Sequence, residues 1–169
     1  MEYTRPDWDT YFVAIAMMAA TRSTCLRRQV GAVITRDRQI VSTGYNGAPP
    51  RVAHCLEMTC AREFLGVPSG ERQEMCRGSH AESNAIAQAA RMGIVTDGTT
   101  LYCTHEPCSL CTKVILTAGI VRVVYVRGYP DKLAAELREE SGVKFECFPA
   151  GKAGAALKKM LHSCMLFEE

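Results

Sequence analysis

The chain lacks a long uncharged run. The longest near its start, residues 10–21, is too short to span a bilayer. The first 20 residues have no basic start, apolar centre and small-residue cleavage site of the kind a signal peptide carries. A dominant charge is missing as well: 20 Lys and Arg stand against 18 Asp and Glu, a formal net charge of +2. A general nucleic-acid binder must neutralise many phosphates, and this balance does not suit one. A small anionic ligand needs only one local basic cluster. Internal repeats and low-complexity stretches are absent too. These absences lead to the expectation of a cytoplasmic protein with neither a membrane nor a nucleic-acid partner.

What is present begins with apolar residues, 47% of the 169, enough for a real core. One domain over 1–169 is the simplest division, with a core over about 8–148 and a helical tail over 149–169. Nine cysteines are many for this length, and an odd number fits a closed disulfide framework poorly. In a reducing compartment, clustered cysteines more often bind metal or perform chemistry.

Residues 8–21 read as a helix with Asp7 as N-cap. Residues 30–35 and 39–44 read as a hairpin around a turn at 36–38. Residues 51–78 show little periodicity, and so long an irregular stretch is usually functional, disordered or tied down. A helix is predicted over 79–92, with Ser79 as N-cap, Glu82 at N3 and Gly93 as its stop. Strand 99–104 follows, then a helix from Pro107 through Ala118, closed by Gly119. The apolar run 121–126 suits a strand buried on both faces. A charged helix over 131–141, a strand over 143–148 and a helix over 150–166 complete the reading. Alternating strands and helices predict α/β layers with helices on both faces of a sheet.

The chemistry concentrates in His80-Ala81-Glu82 and Pro107-Cys108-Ser109-Leu110-Cys111. A catalytic zinc takes three protein ligands and leaves one position to water. His80, Cys108 and Cys111 supply three, and Glu82 supplies a carboxylate able to move protons. Cys108 and Cys111 are spaced to share a helix face, and a helix start favours thiolate. His80 and Glu82, at i and i+2, would diverge on a regular helix; leaning over the helix end brings them together. Each motif alone has a bland reading: a redox or structural cysteine pair, a capping glutamate, a surface histidine. Their order and their strand–loop–helix setting agree with one another, and H-x-E…P-C-x-x-C is the signature of zinc nucleobase deaminases.

Five further candidate ligands lie in or near the irregular segment: Cys25, His54, Cys55, Cys60 and Cys76. A structural zinc needs four. Arg22, Arg27 and Arg28 form the densest basic cluster away from the tail, and guanidinium forks suit phosphate. Asn46 by itself reads as a turn former. Cys103, Cys147 and Cys164 fit no ligand pattern, and His105 is expected to line the pocket.

Over about residues 8–130 the chain resembles the cytidine and deoxycytidylate deaminase superfamily, most of all its deoxycytidylate (dCMP) branch. The likeness rests on Arg22-Ser23-Thr24-Cys25-Leu26-Arg27, Val30-Gly31-Ala32-Val33, Gly44-Tyr45-Asn46-Gly47-Ala48-Pro49, His54-Cys55, Cys76, His80-Ala81-Glu82-Ser83-Asn84-Ala85-Ile86 and the Pro107-Cys108-x-x-Cys111 motif. It implies a three-layer α-β-α sandwich around a five-stranded mixed sheet, and zinc-dependent hydrolysis of dCMP to dUMP and ammonia. It implies that Asn46 meets the sugar 3′-hydroxyl and that the Ala81 N–H binds the pyrimidine carbonyl. Arg27, with Arg22 and Ser23, would hold the 5′-phosphate, and Glu106 would help to place the exocyclic amine. Cys25 and Cys55 resemble part of a second zinc site, completed here by Cys60 and Cys76, with His54 as substitute. The family also implies a homohexamer and dCTP or dTTP effectors accompanied by Mg. Deaminases of dCTP, cytidine, guanine or tRNA adenosine share the zinc chemistry, but the weak net charge and the basic cluster argue against tRNA. An inactive zinc-dependent interaction protein would be expected to have lost Glu82 or a ligand, and this chain keeps them.

Overall fold

The structure, a computed structural model, describes residues 5–163. Five strands form one mixed sheet in the order β2-β1-β3-β4-β5. Helix α1 (Trp8–Ala20) starts at Asp7, whose carboxylate accepts the Thr10 N–H at 2.7 Å. This satisfies one of the orphan donors at a helix start. Strands β1 (Gly31–Arg36) and β2 (Gln39–Tyr45) pair antiparallel around Asp37 and Arg38, which both take positive φ, 49° and 63°. Such a two-residue turn matches the twist of the strands it joins. The irregular segment holds only the four-residue helix α2 (Ala61–Phe64) and one 3₁₀ turn, Gln73–Met75.

Helix α3 (Ala81–Arg91), strand β3 (Thr100–His105), helix α4 (Ser109–Thr117) and strand β4 (Arg122–Arg127) come next. Helix α5 (Lys132–Ser141), strand β5 (Lys144–Cys147) and helix α6 (Ala150–Ser163) follow. Strand β3 is antiparallel to β1, while β4 and β5 run parallel to it.

Period-2 alternation divides the core into two. Ala32, Ile34, Leu101, Cys103 and Val123 pack on the side of α3 and α4. Val33, Tyr102 and Val124 pack with Phe12 and Ala16 of α1 and Ala153 of α6. The result is the expected three-layer sandwich. Val123 and Val124 are buried on opposite faces, as the apolar run of β4 predicted. Cys103 is buried in the sheet and Cys147 is exposed. Cys164 and the last residues of the expected tail helix lie outside the described residues. No helix of the described chain is long and apolar enough to cross a membrane.

Two predicted helix starts are displaced. Ser79 is not the N-cap of α3; it pairs with Gly47 in an isolated antiparallel bridge. Gly47 N–H donates to the Ser79 carbonyl at 3.1 Å, and Ser79 N–H donates to the Gly47 carbonyl at 2.9 Å. That pairing keeps Ser79 extended and makes His80 the N-cap, so Glu82 falls at N2 rather than N3. Pro107 does not open α4 either: Cys108 is the extended N-cap and the helix begins at Ser109. The predicted stops hold, since Gly93 and Gly119 take φ of +69° and +72°.

The first turn of α3 rests directly on β2. A Cβ at Gly44 would lie 2.2 Å from the Ala81 carbonyl oxygen and 2.5 Å from the Ala85 nitrogen. Ser42 Oγ donates to the Ala85 carbonyl at 2.8 Å, and Asn84 Nδ2 donates to that of Tyr45 at 2.8 Å. The two atoms that a Cβ at Gly44 would meet are both backbone, so neither can yield cheaply. Gly44→Ala is expected to push the start of α3 off the sheet, costing about 1–3 kcal/mol. Urea denaturation, with zinc analysis of the purified protein, checks this. An unchanged midpoint with full zinc content would show that the close approach is unimportant.

Candidate active site

Helices α3 and α4 begin side by side, and their capping residues face each other. His80 Nδ1 lies 3.4 Å from Cys108 Sγ and 3.3 Å from Cys111 Sγ. The three ligand atoms all lie within 4.8 Å of one another, the only such group among the described residues. A tetrahedral zinc holding one imidazole nitrogen and one thiolate would separate them by about 3.6 Å. The donor set and its spacing therefore fit zinc. Neither capping side chain makes a capping hydrogen bond, so both are free for a metal. The displaced helix start also removes the i, i+2 difficulty. His80 has extended backbone (φ −75°, ψ 154°) while Glu82 is already helical, so both meet the same space.

Electrostatics at this point favours thiolate and a held proton. Cys108 is pulled down to about 4, first by the hydrogen bond with Cys111 and, against its burial, by His80. Cys111 keeps the shared proton, pushed up by that bond and by burial. Ser83 Oγ lies 3.6 Å from Cys111 Sγ and supports it from α3. Glu82 is 4% exposed, and burial raises its carboxyl above the ordinary carboxylate range. A carboxyl raised in this way gives up its proton less readily than an ordinary carboxylic acid, which suits a group that must take a proton and pass it on.

Helix α4 cannot use Cys108 as its cap, and a neighbour substitutes. Asp131 accepts from Ser109 N–H at 2.8 Å while capping its own helix α5 through Ala134 N–H at 3.0 Å. Glu106 lies on the cavity wall, but its carboxylate is already engaged. It accepts from Arg138 Nη1 at 2.5 Å and from Tyr129 N–H at 2.7 Å. The pair is almost wholly enclosed, at 14% and 12% side-chain exposure. In this structure Glu106 therefore fixes the loop between β4 and α5.

One cavity joins the metal ligands to the nucleotide-binding candidates. Arg27, Arg28, Asn46, Ala81, Glu82, His105 and Glu106 all line it. Ala81 is fully buried at the start of α3, where backbone N–H groups have no intrahelical partner. Arg22 is exposed and outside the lining. Ser23 is outside it too, its hydroxyl held by Asn46 Oδ1 at 2.6 Å. Asn46 ties down the loop between α1 and β1: Oδ1 also accepts from Val30 N–H at 2.8 Å, and Nδ2 donates to the Arg28 carbonyl at 2.8 Å. One Nδ2 hydrogen is left for a ligand. His105 lines the wall with its pKa lowered, first by burial and then by Arg28 and Arg127.

Several lining residues were missed in the sequence. Arg62, Gln73 and Tyr129 line the same cavity. Tyr129 lies beneath Arg28, whose guanidinium carbon is 5.7 Å from the ring centroid. The only sequence clue to Arg62 is its place two residues after a ligand candidate, Cys60; Tyr129 offers none. Cys25, Cys55, Cys60 and Cys76 also share this wall. Burial, then Cys60, Cys25 and Cys76, push the Cys55 thiol up. The four sulfurs are not drawn to the mutual distances of the His80 trio. His54 is outside the lining, with Nε2 3.5 Å from Glu57 Oε1.

Residues 6–127 match the family described as the cytidine and deoxycytidylate deaminase zinc-binding region. Deoxycytidylate deaminase of Mycobacterium phage D29 is 46% identical over 127 residues, which are 72% of this chain and 96% of that protein. The Schizosaccharomyces pombe deoxycytidylate deaminase is 39% identical over 141 residues, 83% of this chain, but the chain spans only 44% of that longer protein. The solved dCMP deaminase of cyanophage S-TIM5, in complex with dCMP and dUMP, superposes with a TM-score of 0.71 at 28% identity. The match covers 86% of this chain and all of that one. With its ligand trio and buried glutamate in place, the chain belongs to the cytidine and deoxycytidylate deaminase family.

Proposed function

We propose that the chain is one deaminase unit that hydrolyses dCMP to dUMP and ammonia with a catalytic zinc. The observation that carries this is the His80–Cys108–Cys111 trio beside a buried Glu82 in a cavity that also holds unpaired arginine. His80 Nδ1, Cys108 Sγ and Cys111 Sγ would hold the zinc, whose Lewis acidity, when bound, makes water nucleophilic near neutral pH. Glu82 takes a proton from the attacking water and delivers it to N3 of the ring. It then carries the proton of the newly added C4 hydroxyl to the amine, and C4=O forms as the C4–N bond breaks and ammonia leaves, so water in and ammonia out balance. The Ala81 N–H binds the pyrimidine carbonyl, the free Nδ2 hydrogen of Asn46 meets the sugar 3′-hydroxyl, and Arg27 meets the 5′-phosphate. Glu106, held by Arg138, shapes the wall beside the amine.

A second, structural zinc on Cys25, Cys55, Cys60 and Cys76 belongs to the same reading, supported by four thiols on one wall. It would pin a segment that otherwise has two short helical turns. The family likeness extends this reading to a homo-oligomer, to dCTP or dTTP effectors with Mg, and to a cytoplasmic setting. Exposed Leu110 and Val114 on α4 offer apolar surface for assembly.

Glu82→Gln is expected to cut ammonia release from dCMP by about 10²–10⁴-fold while keeping its catalytic zinc. Near-wild-type turnover would remove Glu82 from the mechanism. Metal analysis of the wild-type chain is expected to give two zinc ions, falling to one in Cys55→Ser. A single zinc in the wild type would dismiss the second site.

A further inference from the structure

Two guanidinium groups reach the cavity from different segments and are tethered in the same way. Arg27 comes from the loop between α1 and β1; its Nη2 donates to the Val67 carbonyl at 3.0 Å. Arg62 comes from α2; its Nη2 donates to the next carbonyl along, that of Pro68, at 3.3 Å. Val67 N–H donates back to the Arg62 carbonyl at 2.8 Å, closing the turn that presents both anchors. Each arginine then keeps one buried nitrogen without a partner, Nη1 of Arg27 and Nε of Arg62. Both side chains line the cavity that holds His80 and Glu82.

A carbonyl fixes a guanidinium without neutralising it. None of the ion pairs among the described residues includes Arg27 or Arg62. Glu74, the acid whose charge Arg62 influences, is engaged by Arg72. Enclosing positive charge without a counter-charge is costly, and two such groups at one cavity compound the cost. Two pre-anchored guanidinium forks at one cavity, neither neutralised by an acid, are what a phosphate monoester dianion satisfies.

We propose that Arg27 and Arg62 form a two-guanidinium clamp for the 5′-phosphate, with Arg62 setting the preference for nucleotide over nucleoside. This rests on the dCMP reading above. The irregular segment thereby acquires a direct role: residues 62–68 supply one arm of the clamp and the anchor of both arms. Helix α2, short as it is, aims that arm.

The test uses the zinc-loaded full chain as wild type, Arg62→Ala and Arg62→Lys. Binding of dUMP and deoxyuridine is measured by calorimetry, the KM for dCMP by ammonia release, and zinc by metal analysis. Arg62→Ala is expected to weaken dUMP binding and raise the KM for dCMP by about ten- to a hundred-fold. Affinity for deoxyuridine should stay as in the wild type. Arg62→Lys, which keeps the charge but loses the fork, should recover part of the loss. Unchanged dUMP affinity in both variants, or an equal fall for dUMP and deoxyuridine, would overturn the clamp and leave the dCMP reading standing. A wild type that neither binds dUMP nor deaminates dCMP would overturn that reading and the clamp with it.

Discussion

The pairing of Gly47 with Ser79 is the constraint on which the site depends. It stops α3 from starting early and leaves His80 as an extended capping residue. An imidazole at that position can swing toward the neighbouring helix start, while Glu82, already helical, reaches the same space. The same arrangement recurs at Cys108 on α4. Two helix starts, each missing its usual side-chain cap, meet at the point where two cysteine sulfurs and an imidazole converge. The positive ends of both helices face that point and stabilise thiolate there.

The fold holds this meeting point from behind. Gly44 lets α3 lie against β2 at backbone contact, and Asp131 caps α4 from the start of α5. Glu106, held by Arg138, ties the loop between β4 and α5 to the end of β3. The groups expected to do chemistry are therefore supported by elements that touch no substrate. This is the usual need of a metal site, whose ligands must be oriented by neighbours.

The periodic parts of the chain were legible in the sequence. The hairpin, both glycine stops, the two-faced burial of β4 and the ligand trio follow from alternation, turn chemistry and spacing. The helix starts were not. A serine before a helical run reads as a cap, and only its long-range partner Gly47 takes Ser79 out of the helix. Asn46 looked like a turn residue and a sugar contact; it is also the knot of the α1–β1 loop, because Ser23, Arg28 and Val30 come to it. Arg22 lay in the basic cluster that pointed to phosphate, yet it faces solvent. Arg62 was invisible because nothing local distinguishes an arginine that points inward from one that does not. The irregular segment hid it, since aperiodic chain carries no signal of which face it presents.

The proposed chemistry stands or falls on where the metal sits. A crystal structure of the nucleotide-bound protein, with anomalous scattering collected at the zinc edge, measures that directly. An anomalous peak is expected about 2.0–2.3 Å from His80 Nδ1, Cys108 Sγ and Cys111 Sγ, with the pyrimidine beside Glu82. A peak ligated without His80, or a nucleotide bound away from this trio, would contradict it.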